Sequence, residues 1–239
     1  MKEKTCLAIT LLAILSFAGC NDSKPASTTT ESSPAAVVNQ DASTPASSVP
    51  ASTDSAAKPA KSKILIIYFS RVGISEPFDK VEAVSSASLP NGNTVVIAND
   101  IKEMTGGDIF QLITDKVYPA NYDATTDLAQ KEQQAKERPT LKSQPKNLAD
   151  YDIIFLGYPN WWGTIPMALF TFLENNDLAG KTIIPFCTHE GSGLGDSQQD
   201  IKKLCPKSKI VDGLAVRGGS VTSAKPEVEK WVRRIGLHQ

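Results

Sequence analysis

Residues Ile64-Leu65-Ile66-Ile67-Tyr68-Phe69 run apolar without alternation and stop at Ser70. A strand apolar at every position has to be covered on both faces, as a parallel strand is in the middle of a layered α/β domain. Residues 152–158 (DIIFLGY) and 182–187 (TIIPFC) read the same way, and 108–113 (DIFQLI) and 209–216 (KIVDGLAV) are β-rich but less continuous. Between these runs the period changes to that of helices. Residues 94–105 place Ile97, Ile101 and Met104 on one face and stop at Gly106-Gly107. Further helices are expected over 123–137, 165–175, 197–204 and 226–235. Strands alternating with helices predict one α/β domain, residues 63–239, with a doubly wound five-stranded parallel sheet.

Upstream of that domain the chain changes character twice. Residues 1–20 set Lys2 and Lys4 before an apolar run from Cys6 to Ala18, the plan of a secretory signal, and the run is too short to span a bilayer. Ala18-Gly19-Cys20 resembles a bacterial lipobox, although Phe17 stands where that pattern prefers Leu. The expectation is export, with lipid attached at Cys20 as a membrane anchor; an ordinary cleaved signal is the alternative. Residues 21–62 are Ser, Thr, Ala and Pro almost throughout, a composition that buries too little apolar surface to order itself and is expected to act as a disordered tether.

Charge and cysteine usage exclude several classes of function. The 239 residues carry a formal net charge of -1, and the charges of the signal segment and tether cancel, so the domain has no excess of cations for nucleic acid. Cys6, Cys20, Cys187 and Cys205 form no CxxC pair, so no metal site is expected. Cys187 at the end of a strand and Cys205 at the end of the following helix are expected to be unpaired, since eight or nine helical residues cover about 13 Å.

In a sheet of this kind ligands bind outside the C-terminal ends of the strands, where the loops after the first, third and fourth runs converge. After the first come Ser70 and Arg71 and then, directly before the helix, Gly92-Asn93-Thr94. Hydroxyls and free amides at a helix start suit a phosphate, while Asn93 or Thr94 as a simple helix cap is the alternative. After the third comes Pro159-Asn160-Trp161-Trp162-Gly163. Two adjacent indoles cannot both enter one core from a tight turn, so at least one is expected as a platform for a flat ligand. After the fourth comes Thr188-His189-Glu190-Gly191-Ser192-Gly193, whose glycines let backbone amides approach a planar ring. Neither GxGxxG nor GxxxxGK[ST] is present, and Ser192 lacks the strand-to-helix elbow of a hydrolase.

The segments YFSR, GNT, GYPNWWGTIPM and PFCTHEGSGLGDS resemble the flavodoxin-like family, in particular its secreted and lipoprotein members, over nearly all of residues 63–237. The resemblance implies strand order 2-1-3-4-5 and an FMN cofactor. It would place the phosphate on Ser70, Arg71, Gly92, Asn93 and Thr94, and the ring between residues 159–163 and 188–193. Two departures stand out. Residues 76–90 interrupt the phosphate loop, and no aromatic lies between Thr188 and Gly195 to stack on the outer face of the ring. The resemblance therefore implies a flavin with one open face, in a domain lacking the strong negative charge of electron-carrier flavodoxins. If only Asn160 takes positive φ readily, the turn is stiff and disfavours the one-electron flavin state.

The expected function is thus two-electron transfer to a quinone or similar acceptor, by an FMN-dependent oxidoreductase of the quinone-reductase or NAD(P)H-reductase kind, with His189 as proton donor or, equally, as a hydrogen-bonder within its own loop. A one-electron carrier serving a redox partner protein, and a flavin-free binding module, are the alternatives.

Overall fold

The computed structural model describes residues 62–73, 75–76, 89 and 91–239, which fall within the compact unit Ala56–Gln239. The signal segment, the lipid site at Cys20 and all but the last residue of the tether lie outside the described residues, as does the other unit, Met1–Ser55.

The described chain runs β1 (Ile64–Phe69), β2 (Ser75–Glu76), α1 (Asn93–Thr105), β3 (Asp108–Thr114), β4 (Tyr118–Pro119), α2 (Tyr122–Ala135), β5 (Leu141–Ser143), β6 (Ile153–Pro159), α3 (Met167–Asn175), β7 (Thr182–His189), α4 (Ser197–Leu204), β8 (Lys209–Ile210), β9 (Leu214–Arg217) and α5 (Lys225–Arg234). The main sheet has the order β5-β3-β1-β6-β7-β8, with β9 also on β7, and a separate parallel ladder joins β2 to β4. Counting β8 and β9 as one strand, the parallel core has the order 2-1-3-4-5, an α/β doubly wound sheet of flavodoxin-like topology.

The sheet has seven strands and not five, for two physical reasons. Leu141–Ser143 adds an antiparallel edge to β3, a segment too short and polar to announce itself. The last strand is broken opposite Pro185. A Cβ on Gly213 would stand 2.7 Å from the Pro185 carbonyl oxygen, so that face of Pro185 looks towards the break. Having no N–H, Pro185 cannot donate to the ladder there, and pairing lapses between Ile183–Ile210 and Phe186–Leu214.

All six residues of β1 are buried because alternate side chains serve two cores. Leu65, Ile67 and Phe69 pack with Leu169 and Phe172 of α3 and Ile201 of α4. Ile64, Ile66 and Tyr68 meet Ile97 and Ile101 of α1 and Val228 and Trp231 of α5. Each large aliphatic side chain so buried contributes about 1.5–3 kcal/mol. Helix α1 ends where expected, at Gly106 with φ 67°, its N–H on the Lys102 carbonyl. Helix α3 starts at Met167 and not at Ile165, since the residue before Pro166 is biased away from helical backbone. Cys187 and Cys205 are free, buried thiols. Burial pushes the Cys187 thiol up to about 12 and the Cys205 thiol to about 11, so neither is a ready nucleophile.

Candidate functional site

At the C-terminal edge of the sheet the three loops enclose one cavity of about 630 Å³. Its first wall joins the end of β1 to the start of α1. Ser70 is buried and its Oγ accepts from the Val72 N–H at 3.3 Å. Gly92 has φ 85°, and a Cβ there would fall 2.8 Å from Ser70 Oγ and 3.0 Å from Val72 Cγ2, so glycine is required for this approach. Gly92 gives α1 no side-chain cap. Asn93 turns its Oδ1 to the Leu89 N–H at 3.1 Å, while Thr94 Oγ1 and Thr188 Oγ1 lie 2.9 Å apart, tying the first turn of α1 to the end of β7. Simple capping by Asn93 or Thr94 is therefore not what the residues do. Arg71 also lines the cavity, with Nη2 donating to the carbonyls of Ala120 at 2.5 Å and Pro119 at 3.4 Å. Gln111 braces this loop, accepting from the Tyr68 hydroxyl and donating to the Val72 carbonyl at 2.6 Å.

The second wall is a tight turn in which Trp161 and Thr164 exchange backbone hydrogen bonds of 3.0 and 3.1 Å. Its central residues, Trp162 and Gly163, have φ of 51° and 83°. The turn does not rely on Asn160 for positive φ, contrary to the sequence expectation; its bend lies two residues later, imposed by the paired hydrogen bonds. Asn160 is a cross-link: Nδ2 donates to the Gly193 carbonyl at 2.8 Å, Oδ1 accepts from the Gly163 N–H, and its N–H donates to the Thr188 carbonyl.

The two indoles part company, as two neighbours in a turn must. Trp161 is half-buried, with Phe69 and Tyr118 each 5.3 Å away in edge-to-face contact. Tyr118 is held by Glu132, whose wholly buried carboxylate accepts from its hydroxyl at 3.1 Å and from Lys116 Nζ at 2.9 Å. Burial pushes the Glu132 carboxyl up, against the pull of Lys116. Trp162 is 49% exposed, its Nε1 donating to the Thr126 carbonyl of α2 at 2.8 Å. A tryptophan in left-handed backbone is strained by about 1–2 kcal/mol, and this bond, together with one from Gln133 to the Trp162 carbonyl, holds it there.

The third wall is the loop leaving β7. His189 Nδ1 accepts from the Gly191 N–H at 2.9 Å, which requires the lone pair of the neutral ring and leaves the proton on Nε2. Burial lowers the pKa of His189 and Arg217 reinforces it, with Glu190 opposing. His189 thus stands at neutral pH as an Nε2–H donor. The Glu190 carboxylate lies against the Cα of Gly218, where a Cβ would be, and near Asn93 Nδ2. Gly193 is set back from the cavity: its carbonyl also takes the Cys187 Sγ hydrogen bond and so holds two loops together.

Of the residues expected from sequence, Ser70, Arg71, Gly92, Asn93, Thr94, Pro159, Asn160, Trp161, Trp162, Gly163, Thr188, His189, Glu190, Gly191 and Ser192 line the cavity, and Gly193 alone does not. Sequence reasoning missed Val72, Leu89 and one face of α2: Tyr122, Thr125, Thr126 and Ala129. The spacing i, i+3, i+4, i+7 was the available signal, but a stripe of Tyr, Thr, Thr and Ala is not apolar enough to be read as an inward face. No cluster of metal-ligating side chains occurs among the described residues.

A family model described as Flavodoxin matches residues 79–235, more than half of the chain. Among solved structures, a candidate flavoprotein from Bacteroides eggerthii DSM 20697 is 27% identical at TM-score 0.58, the match covering 74% of this chain and 99% of that one. Another, from Bacteroides uniformis ATCC 8492, is 27% identical at TM-score 0.57 over 73% of this chain and 99% of that one. A flavoprotein from Lactobacillus acidophilus NCFM in complex with FMN is 20% identical at TM-score 0.51, covering 70% and 99%, a likeness of fold alone. No curated protein sequence matches significantly.

Proposed function

This chain belongs to the flavodoxin family, and from that premise we propose that it binds FMN in the cavity at the sheet edge and carries out two-electron transfer to a quinone or similar small acceptor. One observation carries the reading: the loops after β1, β6 and β7, each suited to part of a flavin mononucleotide, enclose a single cavity. The residues fit the group. Ser70, with the amides of Asn93 and Thr94, would hold the phosphate; the Gly92 N–H is taken by the Leu89 carbonyl at 2.9 Å, and the part of Gly92 is to let this turn close on Ser70. Pro159, Asn160, Trp161, Trp162 and Gly163 would face one side of the ring, and Thr188, His189, Glu190, Gly191 and Ser192 the other. The FMN complex of the Lactobacillus flavoprotein supports the choice of flavin.

FMN supplies the redox chemistry when bound, accepting and releasing electrons in pairs or singly. The protein's part is to hold the ring edge dry between Trp161 and the glycine loop and to offer His189 Nε2–H as a donor at its rim. Reduction of a quinone to the hydroquinone takes two electrons and two protons; the neutral His189 ring offers a hydrogen bond and not a proton, so the protons would come with the electrons or from solvent. The donor would be a reduced nicotinamide or a redox partner protein.

Export and anchoring through a lipid on Cys20, in a bacterial cell envelope, complete the proposal. They rest on residues 1–20, and a Cys20→Ala variant that leaves the membrane fraction would support them. Purification tests the central reading. A yellow protein, or one that gains a flavin band on incubation with FMN, is expected. A protein that stays colourless would return the fold to the class of flavin-free binding modules. A redox titration in which the one-electron-reduced flavin accumulates strongly would favour the carrier.

A further inference from the structure

Helix α2 gives the cavity a fourth wall, and its chemistry differs from that of the other three. Tyr122, Thr125, Thr126 and Ala129 face the cavity with Trp162 beside them, and none of the five bears a charge. The donors on this wall are nearly all committed. Thr125 gives its hydroxyl proton to the Pro119 or Asn121 carbonyl at 2.6 and 2.9 Å. Thr126 gives its own to the Asp123 carbonyl at 2.8 Å, and Trp162 Nε1 donates to the Thr126 carbonyl. What remains towards the cavity is threonine methyls, the Ala129 methyl, an indole face and one uncommitted donor, the half-buried Tyr122 hydroxyl, which has no hydrogen-bond partner among the described residues.

None of the cavity's charged side chains is carried by α2 itself. Glu190 belongs to the β7 loop, and Arg71, from the β1 loop, reaches the foot of the helix, where its Nη2 donates to the Pro119 and Ala120 carbonyls.

We propose that the α2 wall is the subsite of a second ligand, a flat ring bearing a carbonyl that accepts from Tyr122 while its ring lies against Trp162 and the methyls of Thr126 and Ala129. The proposal rests on the flavin reading above, of which it names the acceptor class. Tyr122 is the specificity-determining residue: it reads the carbonyl.

The test uses the flavin-loaded full chain with 1,4-naphthoquinone as probe, its binding to the oxidised protein read by quenching of tryptophan fluorescence, which requires no turnover. Tyr122→Phe is expected to raise the naphthoquinone Kd by about two- to tenfold, the worth of one net hydrogen bond, and to change FMN affinity less than twofold. Ala129→Leu, which fills the wall without touching Tyr122, is expected to weaken naphthoquinone as well. The proposal is overturned if both variants bind naphthoquinone as wild type does, if wild type binds none, or if FMN affinity falls in Tyr122→Phe, which would assign the wall to the flavin. Wild type that takes up no FMN sinks the flavin reading separately; naphthoquinone binding to that flavin-free protein, dependent on Tyr122 or not, still decides the fate of the wall.

Discussion

The phosphate side and the ring side of the cavity are built by opposite strategies. The ring side is two loops stitched to each other. Asn160 bonds Gly193, Thr188 and Gly163, the Asp196 N–H donates to the Gly163 carbonyl at 2.7 Å, and Gly195 lies against that same carbonyl. The phosphate side joins residues more than twenty positions apart, and its bracing comes from neighbours: Gln111 on Val72, Thr188 on Thr94, and Arg71 on the turn before α2. A wall stitched to itself fails as a unit when one contact is overfilled. A wall braced from outside gives way locally.

That contrast orders the expected effects of substitution. Gly195→Ala is the most severe, because φ is 53° and the new Cβ would collide with the Gly163 backbone carbonyl, which cannot swing aside. Left-handed strain of about 1–2 kcal/mol plus overpacking of about 1–3 kcal/mol predicts roughly 3 kcal/mol of destabilisation, or about 6–12 °C in Tm by calorimetry, with flavin uptake lost. An unchanged Tm would mean that the two loops are not stitched. Gly92→Ala acts on the braced side. Its φ of 85° and its contact with Ser70 Oγ predict about 1–2 kcal/mol and a smaller loss of Tm, together with at least a tenfold weaker FMN affinity by fluorescence titration. Equal affinity in the variant would place the phosphate elsewhere.

Trp162→Asn sharpens the comparison within the ring side. Relief of about 1–2 kcal/mol of left-handed strain offsets the loss of about 1 kcal/mol from the bond to Thr126, so thermal stability should change by less than about 1 kcal/mol while flavin binding weakens. A large loss of stability without a loss of binding would make Trp162 a structural residue. The smallest effect is that of pH on His189. Its pKa is lowered in the fold, so the ring binds fewer protons folded than unfolded. The contribution of the neutral ring is complete above the ordinary value of about 6.5 and is lost as pH falls through the lowered one, when the Gly191 bond must break. The fall in Tm between pH 7 and pH 5 should therefore be shallower in His189→Asn than in wild type.

How much of this was legible in the sequence depended on whether a residue's role was local. The unbroken apolar runs at 64–69 and 153–158 announce buried parallel strands, and three loops on one edge follow from that topology alone. The cavity side of α2 was hidden, because Tyr122, Thr125, Thr126 and Ala129 differ little in polarity from a solvated helix face. The left-handed backbone at Trp162 was hidden for a different reason: no propensity favours tryptophan there, and only the Trp161–Thr164 pairing with the anchor on Thr126 imposes it. The break in the last strand was readable in principle from Pro185, but only once Pro185 was known to face that neighbour.

Amide hydrogen exchange with and without FMN tests the cradle most directly. Added FMN should slow exchange together at Ser70–Val72, at Gly92–Val95, across Asn160–Gly163 and across Thr188–Ser192, and leave α5 unaffected. Protection confined to one of these loops, or appearing at α5 and not at the sheet edge, would contradict the assignment of a single flavin to the three.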